Sequence, residues 1–196
     1  MCITLWSLAG THFSQGESLS RSSGTNLVVK AANFAAFKHR NQRRKDADAS
    51  PYINHPLALA NVLSNEAGIT DAATICAALL HDTIEDTETT LEELQAEFGK
   101  VIASVVLEVT DDKALPKAER KRLQIVHAKT ASRRARLVKL ADKICNLRDI
   151  TSSPPASWNL RRKRKYFDWA KEVIDVLRGT HPKLERLFDE VYSRRP

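Results

Sequence analysis

Six side chains in this sequence have the types and spacing to hold a divalent metal and move protons: His55, His81, Asp82, Glu85, Asp86 and Asp142. His81 and Asp82 are adjacent and close an almost unbroken apolar run, Ala72 to Leu80. An ionised carboxylate in that position needs compensation, because burying it alone is costly. Neighbouring side chains on a regular helix point about 100° apart, so both reach one ion only where the helix ends or loosens. His55 supplies a second imidazole, held before Pro56 in a rigid turn. Asp142 is the only acidic residue between Arg120 and Arg148 and lies off the stripe Leu137, Leu140, Ile144, Leu147, so it faces inward between packed surfaces. Two imidazoles and two carboxylates suit Mn, Fe or Zn. Glu85 and Asp86, one turn after His81-Asp82, are then free to shuttle protons for a water. The residue types alone leave open a second reading, an ordinary His-Asp pair exposed at a helix end.

The elements that must position these groups read as helices. Val29, Ala32, Ala36 and Phe37 recur at helical spacing before the basic run Arg43-Arg44-Lys45. Pro56 opens a helix expected to run to about Gly68. Thr70 or Asp71 caps the next, whose Ala72–Leu80 body is apolar on every side and belongs at the centre of the fold. Thr89 or Thr90 starts an amphipathic helix to about Gly99. Val101 to Val109 form another, although Val105-Val106 also suits a strand. Pro116 to Lys129, Ala131 to Ile150, Trp158 to Arg178 and Pro182 to Ser193 follow. No clean two-residue alternation marks a strand. The expected fold class is all-α, a single compact domain around a central buried helix. Residues 1–29 hold six serines and only Glu17 and Arg21 as charges, and are expected to be a disordered extension before a domain at 30–196.

The chain has 196 residues, 42% hydrophobic and 28% charged, enough for one domain with a real core. Its net charge of +7 points to an anionic partner, which by charge alone is nucleic acid, a membrane surface or a phosphorylated small molecule. The sum hides a division. Asp82 to Asp112 hold ten acidic residues and one basic, whereas Lys113 to Arg148 hold twelve basic and two acidic. One segment suits a cation and the other an anion. The block Arg161 to Lys165 keeps a basic nucleic-acid-binding helical module as the alternative from another class. Three cysteines without a CxxC spacing exclude a disulfide scaffold and fit a reducing, cytoplasmic setting. No apolar run is long enough to span a membrane. Cys76 and Cys145 read as core filler. His39 reads as a packing histidine, His12, His127 and His181 as structural or solvated, and Trp158, Tyr166, Phe167 and Trp169 as packing residues, with Tyr166 able to edge a pocket.

Residues 38–45 (KHRNQRRK), 51–56 (PYINHP), 77–87 (AALLHDTIEDT) and 138–148 (VKLADKICNLR) together resemble the HD phosphohydrolase superfamily, specifically the hydrolase domain of RelA/SpoT alarmone enzymes. The runs 108–113 (EVTDDK) and 119–124 (ERKRLQ) are similar to the small stand-alone animal branch, the metazoan SpoT homologue. The resemblance covers about residues 30–196 and implies an HD-domain helical bundle. It implies that His55, His81, Asp82 and Asp142 ligate one metal ion, typically Mn2+, with Zn or Fe as options. Glu85 and Asp86 match the catalytic pair, and Arg44, Lys45 and Asn146 match nucleotide contacts. The implied reaction is removal of the 3′-pyrophosphate from guanosine 3′,5′-bis(diphosphate), giving GDP and diphosphate. Removal of the NADPH 2′-phosphate is the alternative within the class. The implied partner is a small phosphorylated nucleotide rather than nucleic acid or a membrane.

Overall fold

The apolar run Ala72–Leu80 folds into a helix in which Cys76 to Leu80 are each at most 1% exposed. The computed structural model describes residues 24–196, and every regular element among them is helical. In chain order these are α1 (Gly24–Lys38), α2 (Asn54–Asn61), α3 (Ala72–Leu80), α4 (Thr83–Asp86), α5 (Leu91–Val109), α6 (Lys117–Ala128), α7 (Arg133–Ser152), α8 (Leu160–Asp175) and α9 (Pro182–Tyr192). α1 starts six residues before Lys30, and its Leu27 and Val28 pack on the core. The helical periodicity thus extends back before Lys30 through those two residues. Residues 1–23, with Cys2 and His12, lie outside the described residues.

Asp71 is the cap of α3: its carboxylate accepts from the Thr74 backbone N–H at 3.2 Å and from Thr74 Oγ1 at 2.6 Å. Asn54 and His55 precede Pro56 within α2, so the proline occupies the third helical position rather than the first. Beyond Asn61 the helix widens into a π turn, Val62–Glu66, and ends at Gly68, whose φ of 78° suits glycine. Gly99, at φ 80° and ψ 164°, breaks α5 into the two helical stretches expected there, and Val105-Val106 are helical and buried.

Two helices share the centre. α3 packs against α1, α2, α5 and α7, and α7 packs against α2, α3, α5, α8 and α9. The expected stripe of α7 is buried, but so are Val138, Ala141, Cys145 and two lysines, Lys139 and Lys143. A 20-residue helix buried on most of its circumference has no solvated face to show in its periodicity, which is why a stripe alone underestimated it. Leu140, fully buried where α7 crosses the core, is expected on replacement by alanine to cost about 2–5 kcal/mol. Urea unfolding at constant m-value would read this as a lower midpoint, and an unchanged midpoint would contradict the two-helix core.

Candidate active site

The polypeptide leaves the α-helical path at the residues with the chemistry. His81 is the last residue of α3's register, and Asp82 takes φ −99° and ψ 0° before α4 begins. This break turns two adjacent side chains toward one point, with His81 Nε2 2.9 Å from Asp82 Oδ2. α2 brings His55 alongside, its ring centroid 5.3 Å from that of His81. One ligand atom from each of His55, His81 and Asp82 lies within 4.8 Å of the others. Asp142, from α7, approaches through His55, whose Nε2 is 3.3 Å from Asp142 Oδ1. The Asp142 carboxylate is held by Lys143 at 2.7 Å and by Asn146 Nδ2 at 2.5 Å.

The donor set fits a divalent cation. His81 Nδ1 donates to the Ala78 carbonyl at 2.8 Å, which leaves Nε2 as the lone-pair nitrogen of the neutral ring. That nitrogen is buried, makes no hydrogen bond and faces a carboxylate oxygen. Two electron-rich atoms this close require a positive charge between them, supplied by a proton or a metal. Burial works against a protonated ring, but the Asp82 charge overrides it and lifts His81 to about 9. Burial opposes the charge on Asp82 too, and His81 prevails, holding that carboxyl below its usual range. Asp142 is kept well below the usual range by Lys143 and the two imidazoles, again against burial. Tyr52, three residues before His55, donates its hydroxyl to Asp82 Oδ2 at 2.5 Å and fixes that carboxylate.

Glu85 and Asp86 ride on α4, directly beyond the break. Burial pushes the Glu85 carboxyl up to about 7, with Asp82, Asp111 and Asp86 adding to the effect against a hydrogen bond from the Asp111 backbone N–H at 3.1 Å. Arg120 lies 3.6 Å away from it. Asp86 accepts from Gln42 Nε2 at 2.9 Å and from Lys113 Nζ. One carboxylate can therefore exchange a proton near neutral pH, while its neighbour is anchored from two sides.

The centre opens into a cleft with two lobes. A lobe of about 230 Å³ is lined by the acidic Asp82, Glu85 and Asp142 together with the basic Lys117, Arg120 and Lys121. A lobe of about 510 Å³ is lined by Arg44, Lys45, Ile150, Pro155, Trp158 and Tyr166. Arg44, Tyr52, His55, Asp86, Asn146 and Tyr166 line both. The small lobe suits phosphates beside a cation, and the large lobe suits the flat apolar faces and polar edge of a nucleoside. The ammonium groups of Lys121 and Lys143 both lie over the Trp169 ring, 4.3 and 4.6 Å from its centroid. Burial and neighbouring cations depress Lys121 to about 8.

Of the positions expected from sequence, His55, His81 and Asp82 cluster, Asp142 lies outside that cluster but beside His55, Glu85 and Asp86 follow on α4, and Arg44, Lys45 and Asn146 line the larger lobe. Phe167 is a core residue, and Trp158, Tyr166 and Trp169 pack against the core as expected but are only half-buried; Tyr166 edges the cleft as expected, and Trp158 and Trp169 line it too, which was not expected. They share the 3.6-residue spacing of packing residues, so spacing could not separate them. His39 is buried and packs against Tyr52 at 4.8 Å between centroids. His181 caps α9 through its Nδ1. Cys76 and Cys145 are buried free thiols, and burial pushes both above the usual range. Tyr52, Lys143, Asp111 and Gln42 were given no role from sequence. The signals available for two of them were Tyr52's place three residues before His55 and Lys143's place beside Asp142.

A family model described as HD domain matches residues 31–168. The guanosine-3′,5′-bis(diphosphate) 3′-pyrophosphohydrolase MESH1 of Xenopus tropicalis is 56% identical over 171 residues, 87% of this chain and 96% of its own length. The Homo sapiens protein of the same name is 52% identical over 86% of this chain and 94% of its own. A solved structure described as a metazoan ortholog of SpoT that hydrolyzes ppGpp superposes with a TM-score of 0.84 at 49% identity, covering 86% of this chain and 95% of that one.

Proposed function

This chain belongs to the HD-domain family, and from that premise we propose how its residues divide the work of hydrolysing guanosine 3′,5′-bis(diphosphate). It is an HD-domain metallohydrolase, a guanosine-3′,5′-bis(diphosphate) 3′-pyrophosphohydrolase. The observation that supports the residue assignment is the unpartnered His81 Nε2 facing Asp82, which lines the smaller lobe. We assign His55, His81, Asp82 and Asp142 as ligands of one divalent ion, with Mn2+ as the ion. When bound, such an ion lowers the pKa of a water and polarises a phosphoryl oxygen.

The remaining work falls to protein groups. Glu85, poised near neutrality, takes the proton of the attacking water. Asp86, held by Gln42 and Lys113, orients that water. Lys117, Arg120 and Lys121 offset charge as it builds on the phosphoryl oxygens. In the larger lobe Arg44, Lys45 and Asn146 contact the nucleotide, whose ring stacks among Trp158 and Tyr166. We take residues 30–196 as one hydrolase domain. A reducing cytoplasm suits the free buried thiols of Cys76 and Cys145, and no helix among the described residues is long and apolar enough to cross a membrane.

Chelation of the purified protein is expected to stop release of diphosphate from guanosine 3′,5′-bis(diphosphate), and Mn2+ to restore it with GDP as co-product. Reloaded protein that releases no diphosphate would overturn the assignment. The relatives cited above give no support to NADPH 2′-phosphate removal as the main role.

A further inference from the structure

His55 Nδ1 is buried and has no hydrogen-bond partner, while its Nε2 points toward Asp142 and the metal cluster. A neutral imidazole that ligates through one nitrogen carries its hydrogen on the other, and that N–H needs an acceptor. The carboxylate nearest to it is Asp149, on the last two turns of α7, with Oδ2 3.9 Å from His55 Nδ1. This is too long for a hydrogen bond. The same oxygen is engaged by Arg44, whose guanidinium lies in the larger lobe of the cleft and over the Tyr52 ring at 5.7 Å. Asp149 thus stands between a nucleotide-pocket arginine and a metal-site histidine.

We propose that Asp149 is a positioning residue for the metal centre: it accepts the His55 Nδ1–H, fixes the tautomer whose Nε2 lone pair faces the ion, and shares this duty with its pairing to Arg44. A movement of under about 1 Å brings the two atoms into hydrogen-bond range. Contact between Arg44 and a bound nucleotide draws the guanidinium off the carboxylate and leaves Asp149 to His55. The substrate pocket and the metal site are coupled through one side chain. The inference rests on the assignment of His55 as a ligand.

The test is metal affinity rather than turnover. Mn2+ titration monitored by electron paramagnetic resonance is expected to show Asp149→Leu binding roughly 10- to 100-fold more weakly than the unaltered protein. Asp149→Asn keeps an acceptor oxygen but loses the charge, and is expected to fall much closer to the unaltered protein. Nitrogen-15 spectra of the imidazoles should show His55 as the Nδ1–H tautomer in the unaltered protein and in Asp149→Asn, and as a mixture in Asp149→Leu. Equal affinity of Asp149→Leu and the unaltered protein would overturn the proposal. So would equal losses in the Asn and Leu variants, which would make Asp149 a charge and not a hydrogen-bond acceptor. His55→Ala is the control for the ligand assignment: if it also binds Mn2+ unimpaired, the failure lies with that assignment and not with Asp149. Asp149 is 42% exposed, so neither variant threatens the fold, and circular dichroism confirms this.

Discussion

Asp82→Ala is expected to leave a folded protein that neither retains Mn2+ nor hydrolyses guanosine 3′,5′-bis(diphosphate), with kcat/KM down by about 10³-fold or more. Three losses coincide at this residue. The cation site loses a charged ligand, His81 loses the carboxylate 2.9 Å from its lone-pair nitrogen, and the Tyr52 hydroxyl loses its acceptor. No neighbour can replace it, because Asp142 is already engaged by Lys143 and Asn146. The relevant measurements are metal content by mass spectrometry and phosphate release. Stoichiometric metal with more than a tenth of the activity would show that Asp82 is not a ligand. Tyr52→Phe makes a useful companion, since it removes only the hydroxyl that orients Asp82 and should retain the metal.

Glu85→Gln should separate proton transfer from metal binding. The amide keeps shape and much of the hydrogen bonding to the Asp111 backbone, but cannot take a proton, so kcat is expected to fall about 10²- to 10⁴-fold. KM and metal stoichiometry should change little. In the unaltered enzyme kcat should rise with pH, with a midpoint no higher than about 7, because a bound cation can only pull the raised carboxyl down. The same shift has a consequence for stability. The metal-free folded protein holds the Glu85 proton to about pH 7, whereas the unfolded chain releases it near its ordinary value of 4.5. Folding stability from this group is therefore present below 4.5 and lost as pH rises through 7. Glu85→Gln removes that loss and should be more stable than the unaltered protein at pH 8, by about 1 kcal/mol once water at the pocket mouth screens the charge. A gain in stability accompanied by a collapse of kcat is the signature of a strained catalytic group. A Gln variant with kcat within tenfold of the original would remove Glu85 from proton transfer.

Much of this architecture was legible in the residues. The apolar run Ala72–Leu80 demanded a buried helix, and His81-Asp82 at its end demanded compensation. Asp71 as cap, Gly68 as stop and Gly99 as a break all follow from local backbone chemistry. Such features depend on a few consecutive residues, and so survive being read one segment at a time.

What the sequence by itself determined, then, is the longer helices but not α4 or the π turn Val62–Glu66, the end of α3 as a place of unbalanced charge, and the residue types suited to a divalent ion. Only the tertiary structure decided which groups meet. Tyr52 reaches Asp82 across 30 residues and Arg44 reaches Asp149 across 105. Lys139 and Lys143 are buried in α7, Lys143 against Asp142 and the Trp169 ring, which helical spacing did not foretell. Trp158, Tyr166 and Trp169 carry the spacing of core residues but wall the cleft. The physical reason is the same in each case. Periodicity reports how much of a helix is covered, while packing angles and the break at Asp82 set what covers it and where the uncovered ends converge.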